Sequence, residues 1–564
     1  MSVSSMHRTY ATASARVPAL LGGALIVAIL IILVAAPLGN ILLQAISSTD
    51  GTAFSLTARN LERVLTEEIY WTALVNTLLV CGGAALGSTV LGTALAWIFV
   101  RTDTPGRGVL EQISQIPIFI PPFVGAVAWA LLFAPRVGAG NRILAAIGVP
   151  LEFDIYTRVG MLLVMSIYLA PYVMMMVAAA MRGVDPSLEE AAQVSGLSRW
   201  RTALQITVPL LSPAILSGAV IAFTIAVGLF GTPVVIGWSR QILLLTSRIW
   251  ISTQAVPPDY GVTAVLSLYL ILLSILATAA QRHVLANRSF ITITGKGYRP
   301  RPIALGPWMF ITLAVAVIYV VLTILAPLVV LMAAALSTYT WSGRYSLENV
   351  WAALDSQDVW LTLKNSLYIS IVSATLATAM GIAISWIVNR TRFKGRRLLE
   401  YFVLLPIAVP GIAFGIGVML TWINSSLPVY GTSLIIMFAF VGRFTAYAVR
   451  SISSSLVQLH PELEESARIF GYGPFRTFAR ISLPLILPSV LAGWVLLFSF
   501  FITELSMVIL LYSASNRMFS VLSFEIWNVG DFSKLAALSL LQTLIGLTLA
   551  IVLKSVFRNT ASIG

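Results

Sequence analysis

The segment LLGGALIVAILIILVAAPLGNILL, Leu20 to Leu43, runs 24 residues without a charge. Such a run matches the roughly 20 residues that cross a hydrocarbon layer as helix. VLSLYLILLSILATAA, Val265 to Ala280, is a second run of this kind. Neither alternates in and out with a period of two, so the spans read as α-helices rather than barrel strands. Composition agrees: 10% of residues are charged, against about 25% in a soluble domain. The chain is an integral membrane protein. Its first apolar run is too long for a signal peptide and reads as a retained span.

Apolar runs near residues 18–46, 73–100, 109–135, 157–182, 212–238 and 261–281 give six spans, and runs near 306–336, 362–388, 399–424, 429–454, 487–511 and 533–556 give six more. With the N-terminus in the cytoplasm, 23 of the 35 Lys and Arg residues fall inside, 11 fall outside, and Arg443 falls within a span. This bias puts both termini in the cytoplasm. The net charge of +13 therefore reads as topology, not as a nucleic-acid footprint. Cys81 is the only cysteine, which excludes internal disulfides, and three histidines without a cluster supply no metal-ligand set.

The two sets of spans are copies. At an offset of 289 residues, Trp71, Asn76, Trp97, Arg101 and Pro121 meet Trp360, Asn365, Trp386, Arg390 and Pro410. The polar stretch EEAAQVSGLSRWRTALQITVP (Glu189 to Pro209) returns as EESARIFGYGPFRTFARISLP (Glu464 to Pro484), at an offset of 275. From Pro186 to Pro213 and Pro461 to Pro488, 12 of 28 positions are identical, where composition alone would give roughly two. The 14 extra residues of the first half are assigned to the external loop PRVGAGNRILAAIGVPLEFD. An even number of spans per copy makes the halves parallel. The expected domains are a first half, 1–281, with its polar loop at 185–213; a basic cytoplasmic linker, 282–305; and a second half, 306–564, with its loop at 460–488.

Local chemistry predicts the shape of the repeated loop. Pro186 and Pro461 suit a first helical turn, the Glu pairs suit its positive end, and Gly196 and Gly471 suit a left-handed stop. Glu190-Ala191-Ala192, Gly196 and Ile206-Thr207-Val208-Pro209 resemble the EAA motif of ABC importer permeases, and Glu465-Ser466-Ala467, Gly471 and Ile481-Ser482-Leu483-Pro484 resemble a second copy. Val208 for Leu and Ser466 for Ala are departures. The resemblance implies an all-α type I importer fold of about 12 spans, in which Glu190, Ala191, Ala192, Gly196, Glu465, Ser466, Ala467 and Gly471 couple the spans to a cytoplasmic ATPase dimer. The chain contains no GxxxxGK[ST] phosphate loop. ATP, Mg and hydrolysis are thus expected on that separate ATPase, with no catalytic residue, metal site or cofactor on this chain. The external loops are too short for a binding domain, so a separate periplasmic or extracellular solute-binding protein is expected, and a bacterial inner membrane.

Charges inside spans face a cavity or the bundle interior, which singles out Arg443 and Glu504. Phe230-Gly231-Thr232-Pro233 resembles the FG-x-P element of fused permeases of the ferric iron type, and Glu504-Leu505-Ser506 resembles their ELP element with Ser for Pro. The resemblance implies a solute pathway at Phe230, Gly231, Thr232, Arg443 and Glu504, and ferric iron as solute. Thiamine, aminoalkylphosphonate, sugar phosphate and polyamine are alternatives in the same class. An ion-driven secondary transporter is the alternative from another class, but needs no paired EAA segments. The prolines of IPIFIPPF and the Met174–Met176 run read as kinking and packing residues.

Overall fold

A computed structural model of the chain describes residues 22–50, 53–286, 302–338, 343–391, 395–423 and 425–561. Residues 287–301 of the expected linker lie outside them. Among the described residues, nine helices are long and apolar enough to cross a membrane, and two bent pairs raise the number to eleven. A final helix, apolar over Phe532–Thr548, completes the series of twelve. In the first half these are α1 (Gly22–Ala45), α2 (Glu68–Arg101), α3 (Arg107–Phe119 with Pro122–Phe133), α4 (Arg158–Arg182), α5 (Ala203–Gly228) and α6 (Tyr260–Ala286). In the second half they are α7 (Gly306–Leu336), α8 (Gln357–Arg390), α9 (Arg396–Ala408 with Gly411–Trp422), α10 (Ser433–Gln458), α11 (Pro474–Thr503) and α12 (Phe532–Ala561). Among the described residues, strands are confined to one hairpin, Ser47–Asp50 with Ala53–Leu56.

The prolines account for most departures from straight helix. α3 bends by 100° and α9 by 114° at the breaks before Pro122 and Gly411, where Pro121 and Pro410 deny the helix an amide and hold extended backbone. Four π-helical turns occur at matching places in the two halves: Ile31–Ala35 with Val321–Leu325, and Ala203–Thr207 with Phe478–Ser482. Each comes just before a proline, at Pro37, Pro327, Pro209 or Pro484. In each, the amide just ahead of the proline donates to the carbonyl five residues back, as Ala36 does to Ile31 and Val208 to Ala203, and the proline has no amide to continue the ladder.

Two spans end earlier than their apolar runs suggest. The expected 212–238 and 487–511 are instead helices that begin within the polar loops and stop at Gly228 and Thr503. Short buried helices follow, Gly231–Gly237 and Val508–Leu511. Pro233 cannot donate to the carbonyl of Leu229, and α5 ends there, with Leu229 in extended backbone. The 14-residue insertion holds a helix of its own, Ala139–Ala146.

Within each half, α2, α4 and α5, or α8, α10 and α11, pack as a triplet. Glycines at matching positions permit this: a Cβ on Gly92 would lie 2.6 Å from the carbonyl of Ala170, and one on Gly381 2.5 Å from Cβ of Ala448. The first span of each half is exchanged. α1 lies against α6, α9 and α10, whereas α7 lies against α3 and α12. Asn40 on α1 donates to the Thr421 hydroxyl on α9 at 3.0 Å, and Leu79, Leu86 and Val90 of α2 turn outward as an apolar stripe suited to lipid.

A Cβ on Gly417 or Gly442 would meet the α1 carbonyls of Pro37 or Leu33 at 2.6 Å, so Gly417→Val and Gly442→Val are expected to destabilise the bundle by about 1–3 kcal/mol. Gly82→Ala, with open space at Cβ, should not. Thermal unfolding in detergent compares them, and equal midpoints for all three would contradict the exchanged packing.

Candidate functional site

Both copies of the polar loop fold alike. Pro186–Val194 and Pro461–Ile469 are surface helices, with Glu189 and Glu464 among their first residues. Asp185 accepts from the amide of Ser187 at 2.9 Å and caps the first. Gly196 and Gly471 are left-handed, with φ of +86° and +82°. The next amides, Leu197 and Tyr472, donate back to the carbonyls of Ala192 and Ala467, both at 3.1 Å. This is the Schellman arrangement that closes a helix on glycine.

The alanines divide the helix faces. Ala192 and Ala467 are buried against the bundle, whereas Ala191, Ser466 and Glu465 are exposed. The side chain of Glu190 lies outside the described residues. Beside the exposed positions stand Val194 at 90% exposure, Ile469 at 84% and Phe470 at 82%.

The inner faces carry a feature that sequence reading does not supply. Arg390, the last residue of α8, donates from Nε to Glu464 at 2.9 Å and from Nη2 to the carbonyls of Leu456 and Leu459 at 2.7 and 2.9 Å. Ser482, in the π turn that leads into α11, donates to the same Glu464 oxygen at 2.9 Å. In the first half, Arg101 at the end of α2 lies 3.0 Å from Glu189, and Thr207 donates to that carboxylate at 2.7 Å. The Arg101 side chain is 3% exposed. Its Nε and Nη2 lack an aligned hydrogen bond among the described residues, so its pairing is ionic in distance without the aligned bonds of Arg390. The available signal was the recurrence of Arg, Glu and Thr/Ser in both copies.

A second group of predicted residues lies at the helix breaks between the halves. Phe230, Gly231 and Thr232 are buried. The Phe230 ring packs on Trp250 and on Phe524 of the other half, at 5.8 and 5.5 Å. Its amide donates to the Ser506 hydroxyl at 3.2 Å, a bond across the halves that uses the serine where a proline was the expected pattern. Thr232 donates to the Pro122 carbonyl at the α3 break, at 3.1 Å. Arg443, half-buried on α10, donates to the Val409 carbonyl at the α9 break, at 3.3 Å.

Glu504 is not inside a helix. It is the residue on which α11 stops, its carboxylate accepts from the Met507 amide at 3.1 Å, and its carbonyl accepts from Ser520 at 2.8 Å. A Cβ on Gly411 would lie 3.1 Å from Arg443 Nη1 and 3.5 Å from Glu504 Oε1. Gly228, ending α5, approaches the same Pro410–Gly411 backbone. Arg443 and Glu504 thus both approach one glycine where the halves touch, while Phe230, Gly231 and Thr232 are buried against the α3 break, Trp250 and Phe524. Among the described residues no cluster of three His, Cys, Asp or Glu side chains is placed to hold a metal ion.

The family described as "Binding-protein-dependent transport system inner membrane component" matches residues 88–290 and 375–561, once in each half. The putative ferric transport system permease protein FbpB 1 of Haemophilus influenzae is 27% identical over 492 residues, covering 84% of this chain and 75% of its own. The ferric transport system permease protein FbpB of Actinobacillus pleuropneumoniae is 27% identical over 475 residues, covering 83% and 68%. The molybdenum transport system permease protein ModB of Escherichia coli is 33% identical over 164 residues, 29% of this chain and 70% of its own.

Proposed function

The chain belongs to the binding-protein-dependent transport system inner membrane components, and from that membership we propose that its two surface helices couple a solute pathway between the halves to a separate cytoplasmic ATPase dimer. It is the multi-pass membrane permease of a binding-protein-dependent importer. The observation that carries the coupling assignment is the matched pair of helices, each stopped on a left-handed glycine and each presenting open apolar side chains. Two such helices suit the two grooves of an ATPase dimer. Glu190, Ala191, Ala192 and Gly196, with Glu465, Ser466, Ala467 and Gly471, are assigned to that contact. ATP and Mg belong to the partner, and this chain carries no catalytic step.

The halves 1–281 and 306–564 act as the two domains, joined by the linker 282–305. The repeat-bearing face is cytoplasmic, as are both termini, and the binding protein docks on the opposite face; the bias of basic residues supports this orientation. Ferric iron is the proposed solute, on the strength of the two ferric permeases named above. Glu504 and Arg443 are proposed to meet it in passage, with Phe230, Gly231 and Thr232 forming the wall. The helix break at Glu504 follows a pattern in transporters, where interrupted helices bring backbone groups and charges to a site between repeats.

Three outcomes are expected. Cysteines placed at Tyr345 and Leu427, both exposed, should react with an impermeant thiol reagent from outside, and those at Ser195 and Gly473 only from inside; Cys81 is buried and silent. Reversed labelling would refute the orientation.

A side chain at Gly196 or Gly471 has open space and costs about 1 kcal/mol in left-handed backbone. Gly196→Asp and Gly471→Asp should therefore accumulate normally, yet each should lose ATPase co-purification and abolish ATP-dependent uptake into vesicles. Uptake without any co-purifying ATPase in the parent protein would instead favour an ion-driven carrier.

Glu504→Gln keeps the volume and the capping oxygen but removes the charge. It should impair ferric iron uptake while abundance and ATPase assembly stay normal, and unimpaired uptake would return Glu504 to a purely structural role.

A further inference from the structure

The nodes beneath the two surface helices join more elements than holding a helix on a surface requires. The Arg390 guanidinium stands at the end of α8 and holds Glu464 together with the two carbonyls that close α10. The same carboxylate accepts from Ser482, one residue before α11 becomes regular helix. Three spans and one surface helix therefore meet at one buried charge pair. Glu465, next in sequence, is exposed on the outer face, so the paired acidic residues of the motif divide between partner side and span side.

The first half repeats the arrangement with Arg101, Glu189 and Thr207. The arginines recur at an offset of 289 and the acidic and hydroxyl residues at 275. The contact has thus survived a 14-residue difference in the loop between its partners.

We propose that Arg101 and Arg390 are positioning residues that pass displacement of each surface helix to the ends of the spans, with Arg390 the more rigid link. The proposal rests on the coupling role assigned above and names the route inside this chain. A buried ion pair cannot exchange its partners for water, so a surface helix drawn toward a closing ATPase must carry α8, α10 and α11 with it or break the pair. Arg390, with three aligned bonds, resists that break. Arg101 lacks aligned bonds at Nε and Nη2, but the chain leaving it is stapled instead: Ile303 donates to the Arg101 carbonyl at 2.7 Å and accepts from Asp103 at 3.2 Å.

The test uses full-length permease with its ATPase and binding protein in proteoliposomes, reading ATP hydrolysis with and without binding protein. Arg390→Met should keep normal abundance and ATPase co-purification, because the outer face is intact, yet lose binding-protein stimulation by between about fivefold and completely, the range of ordinary coupling energies. Arg390→Lys, which keeps the charge, should recover part of it. Full stimulation in Arg390→Met, or stimulation that falls only in proportion to assembled complex, would overturn the proposal. Should Arg390→Met not accumulate, Ser482→Ala and Arg101→Met are read in its place, and full stimulation in both overturns it equally. Failure of the parent permease to co-purify with the ATPase would strike the coupling role itself, and is visible before any variant is made.

Discussion

A carbonyl or amide freed from its helix inside a bilayer has no water to turn to, and the interior of this protein is arranged around that constraint. Four spans are interrupted, and the interruptions are served by side chains, most of them drawn from other elements. Thr232 takes the Pro122 carbonyl and Arg443 the Val409 carbonyl. Ser506 takes the Phe230 amide, and Glu504 takes the amide of Met507. The turns after the short helices are held from α2 and α8, by Asn76 on the Leu243 carbonyl and by Asn365 on those of Ser515 and Arg517. Irregular backbone is thus concentrated where the halves meet, and through Ser506 the second half supplies a partner that the first lacks.

The same economy of polar groups separates the two faces of the surface helices. Their inward side is built from a charge pair, a hydroxyl and an alanine, all needing close and particular partners. Their outward side is open, with Glu465 and Ser466 beside the apolar Val194, Ile469 and Phe470. An element fixed beneath and uncovered above moves as a body with whatever it is fixed to. This makes Glu464 different in kind from Glu465, which follows it, although the residue type is the same.

Much of this was legible from residue order. Apolar run lengths gave the series of spans, because crossing a bilayer sets a length that composition cannot hide. Gly196 and Gly471 announced left-handed stops, because glycine alone tolerates that backbone cheaply. The breaks at Gly228 and Thr503 were not legible: the residues that follow are as apolar as a span, and Ser506 reaches Phe230 from 276 positions away. Glu504 therefore reads as a charge within a helix when it is a helix terminus. Arg101 and Arg390 read as two more basic residues of the inside-positive bias. Their partners lie in another part of the chain, and nothing periodic links an arginine to an acid 74 residues later.

The exchange of first spans carries a consequence for biogenesis. Asn40 on α1 finds its hydrogen-bond partner at Thr421, 381 residues further along, and the glycines that admit the α1 carbonyls, Gly417 and Gly442, lie equally far on. At a synthesis rate of about 5–20 residues per second, α1 waits roughly 20–80 s in the bilayer before its seat is made. It is well suited to wait, being long, apolar and without a charged side chain among its described residues. The place beside α3 belongs to α7 and stays unfilled in that interval. Folding of the first half is therefore finished by the second, and joining the two in one chain guarantees that the waiting helix is met by its own partner rather than by another copy's.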